Sequence, residues 1–214
     1  MNRVTARYDS IGGAYDLVAG LEIYHRVCWG VSMGQYRAFA DKAVSCCGDG
    51  VLLDAGCGSM LFTATAHRAN ERGTLIGMDA SLRMLRLARS RLHQADRKAE
   101  RAVLLNGNLL RSPFRRGAFD VVLCLHVAHV VDDLGGLLVE LRRVLRPGGT
   151  LFLTSVVLVD HWRDRYLRAL SRRGVMAAPR CQSDLLNAVR ARFATEVLSE
   201  LLGSMLFVQA TNPG

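Results

Sequence analysis

Lysine is nearly missing from this chain, occurring only at Lys42 and Lys98, so the formal net charge of +9 is carried almost entirely by arginine. No aromatic-interleaved basic stretch accompanies the arginines, which argues against a single-strand nucleic-acid platform. Arg83 with Arg86, and Arg142 with Arg146, recur at helical spacing, as on a solvated outer helix face. A long apolar run is also missing. The best one, Leu151 to Val159, is too short to span a bilayer. Arg3 and Arg7 have no apolar stretch behind them, which argues against a secretory signal and for a cytoplasmic protein. The cysteines at 28, 46, 47, 57, 124 and 181 contain no Cys-x-x-Cys pair, so neither a metal site nor a disulfide framework is expected. Cys57 and Cys124 fall in predicted core elements, where a thiol packs as a small apolar group. Low-complexity tracts and internal repeats are absent too. With 214 residues, 50% of them hydrophobic, the chain can bury one good core and is expected to form a single domain.

What the sequence does have is a pair of acidic residues, each closing a predicted strand, about one βαβ unit apart. The first lies in Val51-Leu52-Leu53-Asp54-Ala55-Gly56-Cys57-Gly58 and the second in Thr74-Leu75-Ile76-Gly77-Met78-Asp79-Ala80-Ser81. An apolar run ending in Asp-Ala-Gly-Cys-Gly reads as a buried parallel strand turning sharply into a helix. Gly56 and Gly58 let backbone approach a ligand, and a helix starting there would present N–H groups to it. Asp79 stands where a carboxylate accepts hydrogen bonds from a ribose diol. A dinucleotide fingerprint would need glycine at position 61, where the chain has Leu61. Asp54, directly before the turn, would repel a pyrophosphate and suits a cationic ammonium group. The pair therefore favours a nucleoside cofactor without phosphates, and S-adenosylmethionine fits that description.

Between 51 and 156 short apolar runs alternate with helical patterns, the signature of a doubly wound parallel sheet. Strands are expected at Val51–Asp54, Thr74–Met78, Ala102–Leu105, Phe119–Leu125 and Thr150–Ser155. Helices are expected at about 59–70, at 81–95 with Ser81 as N-cap, and at 134–145 before the breaker Arg146-Pro147-Gly148-Gly149. A helix at 183–192 and two strands, 193–201 and 205–211, complete a Rossmann-like, mostly parallel seven-stranded sheet ending in an antiparallel hairpin. Within the single domain, residues 1–48 would form a helical N-terminal cover and 49–156 the cofactor-binding core. Residues 157–180 would be a substrate-side insertion, and 181–214 the C-terminal helix and hairpin. Ligands in open α/β sheets bind at the carboxyl ends of the strands, and Asp54, Asp79, Asn108, His126 and Ser155 all map to that edge.

In these features the sequence resembles the class I S-adenosylmethionine-dependent methyltransferases, particularly the small-molecule branch with the ubiquinone/menaquinone-type enzymes. The resemblance rests on Leu53 to Gly58, Gly77 to Leu85, Gly107-Asn108, Pro113-Phe114, Phe119 to Val122 and Leu141 to Gly149, with shorter matches at Tyr8-Asp9 and Ala14-Tyr15-Asp16. It implies that Ala55, Gly56, Cys57 and Gly58 line the methionyl part of the cofactor, with Asp54 near its ammonium group. Asp79 would take the ribose hydroxyls, Ala80 and Met84 would pack near the adenine, Asn108 would face its amino group and Leu109 would cover the ring. Leu125 and His126 would sit under the sulfonium end. His129 is the candidate base or acceptor-orienting residue, and Tyr15, His25, His161 and Trp162 are candidate acceptor-pocket residues. Where the family commonly has glycine this chain has Met60, a residue able to narrow the methionyl pocket. The expected activity is methyl transfer to a small-molecule acceptor at carbon, oxygen or nitrogen, leaving S-adenosylhomocysteine. An RNA methyltransferase and a non-catalytic cofactor-fold scaffold are the alternatives. Acceptor and oligomeric state are not read from the sequence.

Overall fold

A computed structural model describes residues 19–70, 72–93, 102–159, 162–193 and 197–214. Seven strands form one sheet in the order β3-β2-β1-β4-β5-β7-β6. They are β1 Val51–Ala55, β2 Thr74–Asp79, β3 Ala102–Asn106, β4 Phe119–Cys124, β5 Leu145–Val156, β6 Val197–Leu202 and β7 Met205–Thr211. The first five run parallel, while β7 is antiparallel to both β5 and β6. This is the seven-stranded mixed sheet expected from the sequence.

Side chains alternate across the pleat, and the alternation sorts the core into two layers. Leu53, Val122, Cys124, Leu151 and Leu153 face helices α4 (Leu134–Val144) and α6 (Gln182–Arg190). Leu52, Val121, Leu123 and Phe152 face α1 (Met33–Cys47), α2 (Ala64–Ala69) and α3 (Leu82–His93). Helix α1 begins with a capping box, the Ser32 hydroxyl accepting from the Gln35 amide while the Gln35 side chain accepts from the Ser32 amide. It buries Tyr36, Ala40, Ala43, Val44 and Cys47, one helical stripe. Ahead of it, a short turn Glu22–Tyr24 runs into a π-helical turn His25–Trp29. Helix α5, Trp162–Arg172, follows β5, and Tyr36, Leu167, Met205 and Phe207 join a third apolar cluster near its base.

Three boundaries differ from the sequence expectation. The helix after the glycine turn starts at Ala64 rather than near 59, because Gly56, Gly58 and Met60 all take positive φ (70°, 51° and 56°) and a right-handed helix cannot propagate through them. The breaker at 146–149 ends α4 but lies within β5. Phe119 pairs with Leu145 and Val121 with Thr150, so the intervening residues bulge out of register. Arg146 Nε donates to Asp120 Oδ1 at 2.6 Å across that bulge. The sixth strand starts at Val197, and Phe193 is instead fully buried just after α6, its amide donating to the Val189 carbonyl.

Candidate cofactor site at the strand ends

The sheet order reverses between β1 and β4, and ligand crevices in open α/β sheets form at such a switch point. A cavity of about 520 Å³ lies there, over the ends of β1, β2 and β4. That volume is in the range of about 300–1,000 Å³ typical of small-molecule sites. Of the sequence-predicted cofactor residues, Asp54, Gly56, Cys57, Gly58, Asp79, Ala80, Met84, Asn108, Leu109, Leu125 and His126 all line it. Ala55 does not. Its side chain is fully buried in the layer under α4, because alternation along β1 turns it away from the cavity.

The two halves of the site are hydrogen-bonded to each other. Asp79 Oδ2 accepts the Gly58 amide at 2.9 Å, and Oδ1 accepts the Ser81 amide at 2.8 Å. These bonds fix the plane of the carboxylate. The Ser81 hydroxyl in turn accepts the Met84 amide and starts α3. Amides of Gly56 and Cys57 donate to the Met78 carbonyl at 2.8 and 3.1 Å, so they tie the turn to β2. The expected row of helix N-terminal donors is therefore replaced by a turn whose amides are used internally. At Gly58 a side chain would meet nothing within 4 Å, so the cavity passes directly over this backbone. At Gly56 a β-carbon would collide with the Val127 side chain.

Asp54 is buried at the end of β1, 1% exposed. Its Oδ2 accepts from the Thr63 hydroxyl at 2.9 Å and from His67 Nε2 at 2.9 Å. Neither partner was singled out in the sequence. Their i, i+4 spacing puts the N-cap Thr63 and His67 on one side of α2, but only the folded turn shows that this side meets Asp54. Asn106 is a third residue the sequence missed. Its Nδ2 donates to the Asp79 and Ala80 carbonyls at 3.0 and 2.9 Å. Asn108 caps a short turn, Leu109–Arg111, by accepting the Leu110 amide, which sets Leu109 and Leu110 as one cavity wall. Among the described residues, the charged side chains lining the cavity are Asp54 and Asp79, with no arginine or lysine.

Burial, with Asp54 and Asp79 adding to it, pushes the Cys57 thiol well above its usual range, so this cysteine stays a neutral packing group. Met60 is 1% exposed, with Cε directed at Gly77 of β2. It borders the cavity, yet its side chain belongs to the core beneath α1.

The acceptor-side expectations divide. His126 lines the cavity with φ +60°, its amide donating to Thr154 Oγ1 at 3.0 Å. Its ring lies 4.5 Å from Tyr36 and 5.4 Å from Phe62, centroid to centroid. Burial holds its pKa well below the ordinary imidazole value, with His129 and His25 adding to the effect. His129 does not line the cavity. Its Nδ1 accepts the Val156 amide at 3.4 Å, and burial plus the nearby Arg180 guanidinium lowers its pKa to about 3. A base so weak and so placed does not fit the role expected for it. His25 is buried, its Nε2 2.8 Å from the Ala19 carbonyl and its ring 5.3 Å from Phe62, one side chain removed from the cavity wall. Trp162 is 54% exposed on α5, with the Arg163 guanidinium 5.1 Å from its ring, and stands off the cavity. Tyr15 and His161 lie outside the described residues.

The residues fit an adenosyl group. Asp79 offers an oriented acceptor, Ala80, Met84, Leu109 and Leu110 offer apolar walls, and the Gly58 backbone leaves room beside them. Comparison with known proteins agrees. Residues 53–153 match the family described as "Methyltransferase domain". The chain is 28% identical over 155 residues to a demethylmenaquinone methyltransferase of Lactiplantibacillus plantarum, a match covering 71% of this chain and 61% of that protein. An S-adenosylmethionine-dependent methyltransferase from Thermotoga maritima superposes with a TM-score of 0.70 at 18% identity, covering 98% of this chain and all of that one. The geranyl diphosphate C-methyltransferase of Streptomyces coelicolor, solved with S-adenosylhomocysteine, gives 0.63 at 18% identity, covering 81% and 74%. A related geranyl diphosphate methyltransferase structure was solved with S-adenosylmethionine itself. By its matched segment, its relatives and its fold, the chain is similar to the class I S-adenosylmethionine-dependent methyltransferases, the matched segment spanning just under half of it.

Proposed function

We propose that this chain methylates a small-molecule acceptor of quinone-like or secondary-metabolite type, at carbon, oxygen or nitrogen. One observation carries it: a cavity whose charged lining is a pair of carboxylates, one of them bonded to the backbone of the glycine turn. That charge suits a cationic, phosphate-free cofactor and disfavours polyanions. The chain spans 61% of the length of the demethylmenaquinone methyltransferase it matches, and the quinone-like acceptor class is taken from that relative's name.

Bound cofactor would supply an activated methyl group on sulfur, so the protein's work is alignment and exclusion of water. In this reading Asp79 anchors the ribose and Asp54 attracts the amino-acid end. Phe62, Val127, Val130 and Val131 wall off water at the acceptor end. His126, neutral and beside Phe62, orients the acceptor. The chain works as one domain, with the segments before β1 and between β5 and α6 covering the acceptor side. No helix among the described residues is long and apolar enough to cross a membrane; a cytoplasmic enzyme is part of the proposal.

Calorimetric titration with S-adenosylhomocysteine and, separately, NAD tests it. The adenosyl ligand should bind and NAD should not. A folded protein that binds neither would overturn the reading, and one that binds both would break the cofactor assignment.

A further inference from the structure

Asp54 is held by two donors on a single oxygen. Thr63 Oγ1 and His67 Nε2 both lie 2.9 Å from Oδ2, and the Asp54 and His67 side chains are each only 2% exposed. Two donors on one oxygen fix the rotation of the carboxylate and turn Oδ1 away from them. Asp54 itself lines the cavity. We propose that His67, seconded by Thr63, is a positioning residue for the amino-acid end of the cofactor: it acts through Asp54 and touches no ligand. The inference rests on the proposed function and assigns a task to a side chain outside the cavity wall.

Physical reasons favour a task beyond packing. A buried carboxylate with no compensating donors is strongly disfavoured, so something must hold Asp54. Backbone amides of the turn do not, because those of Gly56 and Cys57 go to the Met78 carbonyl and that of Gly58 to Asp79. The charge at the end of β1 is therefore kept in place by the N-cap residue of α2 and by a side chain within that helix. With both donors on Oδ2, the other oxygen of the carboxylate is left for an ammonium group. Glutamine can place an amide N–H where Nε2 stands, whereas alanine cannot.

The test compares two ligands that differ only at the end concerned. S-adenosylhomocysteine carries the amino-acid tail, and 5′-methylthioadenosine lacks it. In His67→Ala, affinity for S-adenosylhomocysteine should fall about tenfold or more, the size of a hydrogen bond to a charged group. Affinity for methylthioadenosine should stay within about twofold, since the ribose and adenine contacts are untouched. His67→Gln should recover most of the loss. Thr63→Val, which keeps the shape and removes the second donor at a residue that itself lines the cavity, should show the same ligand selectivity and provides the reading should His67→Ala not fold. Equal loss for both ligands, or no loss for either, would overturn the positioning role and leave the proposed function standing. Wild type that binds neither ligand would overturn the proposed function itself and the positioning role with it.

Discussion

The Gly58 amide points at Asp79 and donates to its Oδ2 at 2.9 Å. A residue that closes β2 thus sets the shape of the turn that follows β1, and the same carboxylate holds the Ser81 amide at the start of α3. Asp79→Ala should lower S-adenosylhomocysteine affinity about tenfold or more, since it removes a charged acceptor. Asp79→Asn keeps one acceptor oxygen and should fall in between. Titration calorimetry on the three proteins, with circular dichroism to establish folding, checks the order.

Met60 takes φ +56° and is buried. Glycine would relieve about 1 kcal/mol of backbone strain. Loss of a buried methionine side chain costs about 2–5 kcal/mol, so packing wins. Met60→Gly should therefore be less stable by about 1–4 kcal/mol in urea unfolding. Because Cε is directed at Gly77 rather than across the cavity, cofactor affinity should change by less than about threefold. A large gain in affinity would mean that Met60 does narrow the pocket.

Glu140 is bound to Arg143 and to both the amide and hydroxyl of Ser112, which ties the turn carrying Leu109 to α4. Its hydrogen bonds to Arg143, then those to Ser112, lower its pKa from 4.5 to about 2. A depressed carboxyl stabilises the fold above the unfolded value and loses that contribution as pH falls toward about 2. Glu140→Gln should cost about 1–2 kcal/mol at neutral pH. The gap between variant and wild type should close below pH 4.5, where the unfolded carboxyl takes up protons.

His129 runs the same way with a different charge. Its folded pKa of about 3 lies below the ordinary 6.5, so below that ordinary value the unfolded chain binds a proton that the folded one refuses. Stability contributed by the neutral ring is present above 6.5 and is lost as pH falls toward about 3. His129→Gln should flatten the acid limb of a stability-against-pH curve by up to about 1.4 kcal/mol per pH unit. An unchanged limb would mean that His129 titrates normally and would return it to consideration as a base.

The strands and their carboxyl ends were legible because each is a short apolar run closed by a polar residue, and the cavity-lining set followed from their shared edge. Other features depend on information that the linear pattern lacks. Three alternating positive φ angles delay α2, and only at Gly56 and Gly58 does the residue type announce one. His126 and His129 are three residues apart in one loop, so which of them meets the cavity depends on the path the chain takes after Cys124. Alternation along β1 buries Ala55 beside two residues that face the ligand side. The bond from His67 to Asp54 spans the glycine turn, and no local periodicity reports it.

The sheet order places β1 beside β4, so the cavity is shared by two groups of strands. The polar lining at one end comes from β1, β2 and β3, through Asp54, Asp79 and Asn106. Phe62 aside, the walls at the other end come from the segment after β4, backed by β5, β7 and α1. The Gly58–Asp79 bond lies wholly within the first group. Under the proposed function, changes confined to 126–131 should therefore alter the acceptor while the donor stays bound. Such an architecture would let a lineage diversify its chemistry by rewriting one short loop.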